Sequence, residues 1–224
     1  IGAGRVVYQE FTRINRAIDS GHFFANPALV NAIETAKKGD HALHIMGLLS
    51  DGGVHSHEKH IHAMLEMAAK RGLKKVYIHA FTDGRDTPPK SAGPSLMKMQ
   101  QKMRELGVGR IASLIGRYYP MDRDRRWQRV KAAYDLLTQG KADYVAHNAL
   151  EGLQMAYDRG ETDEFVKATA IVGEGQQPVR MEDGDVIAFM NFRSDRARQI
   201  SRTFIEDGFD GFEREYRPKL GAMV

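Results

Sequence analysis

Seven side chains could act together on one small ligand: His55, Arg85, Asp86, Arg117, Arg123, Arg193 and Arg196. They fall in four short polar strings: SDGGVHSH at 50–57, TDGRD at 82–86, GRYYPMDR at 116–123 and NFRSDR at 191–196. Each string follows directly on an apolar run. Arginine presents a planar fork of donors that matches the oxygens of a carboxylate or a phosphate two at a time. A ligand carrying both groups needs several such forks. An imidazole and a carboxylate beside them can hold or deprotonate a hydroxyl of that ligand. A single arginine after a strand is usually solvated or salt-bridged; arginines at successive strand ends point to a polyanion.

The elements that must position these residues are legible from periodicity. HALHIMGLL (41–49), KVYIHAFT (75–82), RIASLI (110–115) and DVIAFMNF (185–192) read as strands, as does the shorter 168–172. Helices are expected over 8–20, from Asn26-Pro27 to Gly39, over 56–70, 95–106, from Trp127 to Gly140, over 150–157 and from 196 to 205. Asn26 is placed to cap its helix and Pro27 to open it. Strand–turn–helix alternation with continuously apolar strands predicts an α/β fold, a mostly parallel sheet with helices on both faces in three layers. In such a sheet ligands bind beyond the carboxyl ends of the strands, which puts all four polar strings on one rim with Asp83 among them. Gly52, Gly53 and Gly84 let the backbone approach a ligand closely.

Composition excludes several classes. The 224 residues contain no cysteine, so disulfides and thiolate metal sites are ruled out, and the cytoplasm is the default location. No apolar run approaches the roughly 20 residues needed to cross a membrane. Lys plus Arg number 33 against 29 Asp plus Glu, an excess that permits an anionic ligand without demanding nucleic acid. Without linker or low-complexity tract, residues 1–224 read as a single domain. Its opening Ile1-Gly2-Ala3-Gly4 and its end both read as cut points.

The strings LLSDGGVHSH, HAFTDGRDTPP, GRYYPMDRDRRW and NFRSDRARQ, in this order and spacing, closely resemble the cofactor-independent phosphoglycerate mutases, and the resemblance runs along essentially the whole chain. IGAGRVVYQ and RPKL resemble the stretches that join this domain to the rest of such an enzyme. The family interconverts 3-phosphoglycerate and 2-phosphoglycerate in glycolysis and gluconeogenesis. It combines a phosphatase-like domain, carrying a serine nucleophile and two metal ions, usually manganese, with an inserted transferase domain. The chain resembles the insert alone. The resemblance implies no cofactor in this chain, two manganese ions in the absent domain, and no mutase activity for this chain by itself. It implies that Arg193 and Arg196 face the phosphate and Arg117 and Arg123 the acid end of the glycerate. His55, Arg85 and Asp86 would position the hydroxyls, with Asp86 as general base. Its partners would be the two phosphoglycerates and the phosphatase-like domain, with neither nucleic acid nor membrane.

Two other readings stand beside this one. The arginine-rich stretch 122–131 with Trp127 could bind nucleic acid, although Trp127 and Tyr134 fit a buried helical stripe. Arg125, Arg126 and Arg129 would then be an exposed helix face partnered by Asp122 and Asp124. His55, His57, His60 and His62 could serve a metal-dependent hydrolase. The plainer expectation is that three of them decorate the polar face of a helix while His55 faces the cleft. Asp51 and Asp83 could simply cap turns.

Overall fold

The computed structural model describes residues 9–224. The joining stretch expected at 1–9 and the helix start at Tyr8 therefore lie essentially outside the described residues. Seven strands form one sheet: β1 (Leu43–Leu48), β2 (Val76–Thr82), β3 (Arg110–Gly116), β4 (Tyr144–Ala146), β5 (Thr169–Ile171), β6 (Val186–Phe189) and β7 (Ala222–Met223), in the order β4-β5-β3-β2-β1-β6-β7. Seven helices accompany them: α1 (Glu10–Asp19), α2 (Pro27–Lys38), α3 (Glu58–Lys70), α4 (Gly93–Leu106), α5 (Trp127–Gln139), α6 (Ala149–Asp158) and α7 (Arg198–Ile205).

The β3, β2, β1, β6 and β7 ladder is parallel throughout. The pair β4–β5 runs the other way, with β5 antiparallel to β3. Apolar content locates a strand but carries no direction, so the strand expected at 168–172 gave no sign of this reversal.

Apolar strand residues feed two cores, one on each face. Leu43, Ile45, Ile78, Ala80 and Ile111 pack with Ile33 of α2, Met64 and Leu65 of α3, Met99 of α4 and Leu153 of α6. Met46, Leu48, Phe81 and Ile115 pack with Val130, Tyr134 and Leu137 of α5 and Ile200 and Phe204 of α7. This is the three-layer arrangement expected from the sequence. Local chemistry sets the helix ends. Asn26 Oδ1 accepts from the N–H groups of Ala28 (3.0 Å) and Leu29 (3.3 Å), with Pro27 in the first helical position. Arg125 has φ +58°, a left-handed conformation that cannot continue into a helix, so α5 begins only at Trp127. Arg125 and Arg126 accordingly lie in the loop before the helix, not on its exposed face.

A buried polar line crosses three strands on the α5–α7 face. His44 Nε2 lies 3.0 Å from Asp185 Oδ2, His44 Nδ1 2.9 Å from His79 Nε2, and His79 Nδ1 2.7 Å from Ser113 Oγ. Asp185 also accepts from the N–H groups of Ala42 and Glu182, and can only accept. Donation from Ser113 to His79, from His79 to His44 and from His44 to Asp185 uses every atom of the line once. Ser113 reaches His79 because of a bulge. Ile78 pairs with Ile111 but His79 pairs with Ser113, leaving Ala112 as an extra residue in β3.

Buried histidines make the fold acid-sensitive. Burial pushes the His60 imidazole down to about 4, and burial followed by the neighbouring His44 pushes His79 well below its ordinary value. The unfolded chain therefore binds protons that the folded chain refuses. Stability should fall as pH drops below about 6.5, by about 1.4 kcal/mol per pH unit for each such group. Urea midpoints at pH 7 and pH 5 should differ accordingly, and His60→Gln should shallow the slope. Equal midpoints would contradict it.

Candidate functional site

The four polar strings do converge at the carboxyl ends of β1, β2, β3 and β6, and they are held to one another. After β1, Ser50 Oγ donates to Asp83 Oδ2 (2.8 Å) in the turn after β2. Asp83 Oδ1 accepts from the N–H groups of Arg85 (3.2 Å) and Asp86 (3.0 Å) and from Arg117 Nη1 (2.7 Å), the last from the turn after β3. Arg117 Nη1 also reaches Asp86 Oδ2 at 2.5 Å. Asp83 is 2% exposed and Arg117 3%. Burial raises the Asp83 carboxyl, but the Asp86 N–H, Ser50 hydroxyl and Arg117 guanidinium outweigh it and hold the group below its usual range. Asp83 thus caps its turn, as one sequence reading had it, and also anchors Arg117.

The turn after β6 closes the ring. Phe192 and Arg193 donate their backbone N–H groups to the His55 carbonyl, at 2.9 and 3.3 Å. This contact draws the chain away from the sheet, so β6 stops at Phe189 and α7 starts at Arg198 where the sequence suggested 192 and 196. His55 is buried, with Nε2 3.9 Å from Asp86 Oδ2 and Nδ1 3.6 Å from Asp195 Oδ1. Asp195 Oδ2 accepts from Arg123 Nη1 (3.1 Å) and, more weakly, from Arg193 Nη2 (3.4 Å).

Arg85, Arg117, Arg123 and Arg196 line one cleft of about 360 Å³. His55, Asp86 and Arg193 are not among its lining residues; they adjoin it through the Arg117–Asp86 contact and the shared Asp195. Arg196 donates to the Met121 carbonyl (3.2 Å), and its guanidinium pKa is lowered first by burial and then by Arg123, Arg117 and Arg85. The mutual repulsion among these guanidinium groups is offset in part by Glu164, Asp83, Asp86 and Asp195, and a further anion between them would relieve it more. A larger cavity, about 820 Å³, opens at the other ends of the strands, but its lining sets Lys74, Lys75, Arg110 and Arg180 against Asp40, Glu182 and Asp185, a smaller positive excess than that of the cleft, where the arginines face Asp122, Asp124 and Glu164.

Sequence reasoning missed the floor of the cleft. A 3-10 turn at Asp163–Phe165 lies against the glycines of two strings. A Cβ on Gly84 would lie 2.8 Å from Asp163 Cβ, and one on Gly116 2.6 Å from the Glu164 carbonyl carbon and the Val166 nitrogen. Thr82 Oγ1 donates to the Asp163 carbonyl at 2.6 Å, and Arg85 Nη1 approaches Glu164 Oε1 at 3.4 Å. The Asp163 side chain is itself buried and accepts from the N–H groups of Ser91 and Ala92 and from the Tyr157 hydroxyl. Nothing in the sequence around 163 marks it. Only Gly84, which reads from the sequence as a place where backbone comes close, hints at it; Gly116 reads simply as part of a turn.

His57 and His60 have structural contacts, while Arg126 and Arg129 line the same cleft and are paired with acids there. His57 Nδ1 accepts from the Lys59 N–H at the start of α3. His60 is 1% exposed, bonded to Asn15 Oδ1 (2.9 Å) beneath Phe11, because α1 docks on the face of α3 expected to be polar. Among the described residues no group of three or more His, Asp or Glu side chains could hold a metal ion. Arg126 pairs with Asp124 and Arg129 with Asp122, each at 3.5 Å, and Arg129 stacks on Tyr118. Trp127 packs edge-on against Phe209, and Tyr134 is fully buried.

Fold and cleft together define an α/β domain with an arginine-rich cleft at the carboxyl ends of its strands. Comparison with known proteins gives the lineage. Residues 14–224 match the profile of the BPG-independent PGAM N-terminus, and the chain belongs to that family. It is 65% identical, over 99% of its length, to the 2,3-bisphosphoglycerate-independent phosphoglycerate mutase of Thiobacillus denitrificans, and 58% identical over its whole length to that of Pseudomonas aeruginosa. It spans 43% and 44%, respectively, of those relatives. The phosphoglycerate mutase of Leishmania mexicana, crystallised at low cobalt concentration, superposes on 99% of the chain with a TM-score of 0.90 at 33% identity. The match takes in 42% of that protein. Among the described residues no helix is long and apolar enough to cross a membrane.

Proposed function

We propose that this chain is the substrate-holding transferase part of a phosphoglycerate mutase, binding 3-phosphoglycerate and 2-phosphoglycerate in the arginine cleft. The observation that carries the reading is the convergence of Arg85, Arg117, Arg123 and Arg196 on one cleft, with Arg193 one contact away. In this reading Arg193 and Arg196 take the phosphate, Arg117 and Arg123 the carboxylate, and His55 and Arg85 orient the hydroxyls. Asp86, fixed by Arg117, accepts the proton of the hydroxyl that receives the phosphoryl group.

The phosphoryl group itself would pass through a serine outside this chain, in a phosphatase-like domain holding two manganese ions. The residues described here do not fit a metal site, so no step of this chain runs through one. Its own contribution is retention. By keeping the glycerate bound while the phosphoryl group is held elsewhere, it raises the effective concentration of the acceptor hydroxyl over water. The intact protein would then be an isomerase of glycolysis and gluconeogenesis, acting in the cytoplasm, while this chain alone binds without turnover.

Calorimetric titration of 3-phosphoglycerate into the chain tests the assignment. Binding should be measurable for the native sequence and lost in the Arg193→Ala, Arg196→Ala double variant. Undiminished binding in the double variant would overturn the site, and mutase turnover by the metal-free chain would overturn the division of labour.

A further inference from the structure

Asp195 lies among the arginines proposed to grip the substrate, and its contacts are those of a competing anion. One carboxylate oxygen, Oδ2, bridges Arg123 and Arg193. The other, Oδ1, is buried without a hydrogen-bond partner and faces His55 Nδ1, which is likewise buried and unpartnered, 3.6 Å away. Two orphaned polar atoms aimed at each other just beyond bonding distance mark a contact that a small movement would complete. The Asp195 side chain is 33% exposed, so it has room to move.

We propose that Asp195 is a built-in counter-ion: it occupies Arg123 and Arg193 while the cleft is empty, and when an incoming phosphate or carboxylate takes those arginines it shifts onto His55 Nδ1. The shift required is about 0.5 Å, from 3.6 Å to the usual range of hydrogen-bond distances. The groups facing His55 are Asp86 from the turn after β2, Arg117 from that after β3, and Arg193 and Asp195 from that after β6. Burial, then Arg117 and Arg193, lower the His55 pKa, while Asp195 and Asp86 raise it. An anion that engages Arg193 removes part of the lowering and frees Asp195 to strengthen the raising. Binding at the arginines is thereby transmitted to the imidazole beside Asp86. Asp195 is in this sense a positioning residue, acting through His55, and it weakens anion binding in return for coupling it to His55.

The inference rests on the cleft being a polyanion site but not on phosphoglycerate being the ligand, so inorganic phosphate is the probe. Two exposed ion pairs hold Asp195, so Asp195→Asn should bind phosphate roughly two- to thirtyfold more tightly than the native chain. Asp195→Ser should do likewise, and Asp195→Glu, which keeps the charge, should not. Nitrogen-15 NMR of the histidine rings gives the second readout. Saturation with phosphate should make His55 Nδ1 a hydrogen-bonded N–H and raise the pH at which the ring titrates in the native chain, with little of either in Asp195→Asn. Phosphate binding by Asp195→Asn and Asp195→Ser that is no tighter than native overturns the proposal. So does an undiminished His55 response in Asp195→Asn. Tighter phosphate binding by these variants without any binding of 3-phosphoglycerate would sustain it while refuting the substrate assignment.

Discussion

Arg117→Ala should destabilise the chain by about 3–5 kcal/mol and abolish anion binding in the same step. The guanidinium is almost fully buried between Asp83 Oδ1 at 2.7 Å and Asp86 Oδ2 at 2.5 Å. Its removal leaves Asp83, itself 2% exposed, as a buried carboxylate whose cationic partner is gone. Asp83 cannot escape by rotating, because Ser50 Oγ and the N–H groups of Arg85 and Asp86 hold both its oxygens. Protonating it would weaken those three bonds, of which the one from Ser50 ties the turn after β1 to the turn after β2 and the other two shape the turn after β2 itself. The loss should therefore spread from one side chain to the geometry of His55, Arg85 and Asp86 together. Arg117→Lys restores the charge without the planar fork and should recover part of the stability and little of the binding. Urea unfolding with a parallel phosphate titration measures both quantities. A stability loss under about 1 kcal/mol would show that the pair contributes no more than a surface salt bridge.

Gly116→Ala should be nearly as damaging, by a different route. The new methyl would sit 2.6 Å from both the Glu164 carbonyl carbon and the Val166 nitrogen, and backbone cannot swing aside as a side chain can. The segment 163–166 would have to lift from the end of β3, breaking the Gly116 N–H to Val166 carbonyl bond and the Thr82 to Asp163 bond and withdrawing Glu164 from Arg85. Overpacking of this kind costs about 3 kcal/mol. Gly107→Ala is the control: Gly107 is left-handed (φ +64°) with nothing within 4 Å, so only backbone strain applies, at about 1 kcal/mol. Thermal unfolding should rank the two clearly. If Gly116→Ala proved the milder, the close approach of the 163–166 segment would not matter to the fold.

What could be read from the sequence, and what could not, divides along physical lines. The strands β1, β2 and β3 announce themselves because a strand buried on both faces must be continuously apolar, and the polar strings after them follow from parallel topology. Together with the string after β6, that brings Arg85, Arg117, Arg123 and Arg196 to one rim on sequence grounds alone. The strand β4 is three residues long with Val145 exposed, too short and too wet to show. Glu164 meets Arg85 across 79 positions of sequence, a distance over which no local pattern reaches. Asp195 was in view as part of its string, but its tie to Arg123 depends on how two turns face each other. The burial of His60 depends on where α1 docks, which the periodicity of α3 alone does not contain.

The bulge at Ala112 has a consequence for how the length of the chain can vary. Ile111 and Ser113 face opposite sides of the sheet although they are two apart, since Ala112 between them has no partner in β2. Deleting Ala112 would make Ile111 and Ser113 consecutive, and consecutive residues alternate sides unaided. Deleting any residue from 114 to 116 would instead bring Arg117 to the end of the strand one step early, on the wrong side of Asp83. Within β3, then, tolerance to loss of a residue should be concentrated at the bulge, and the remainder up to Arg117 is counted to the residue.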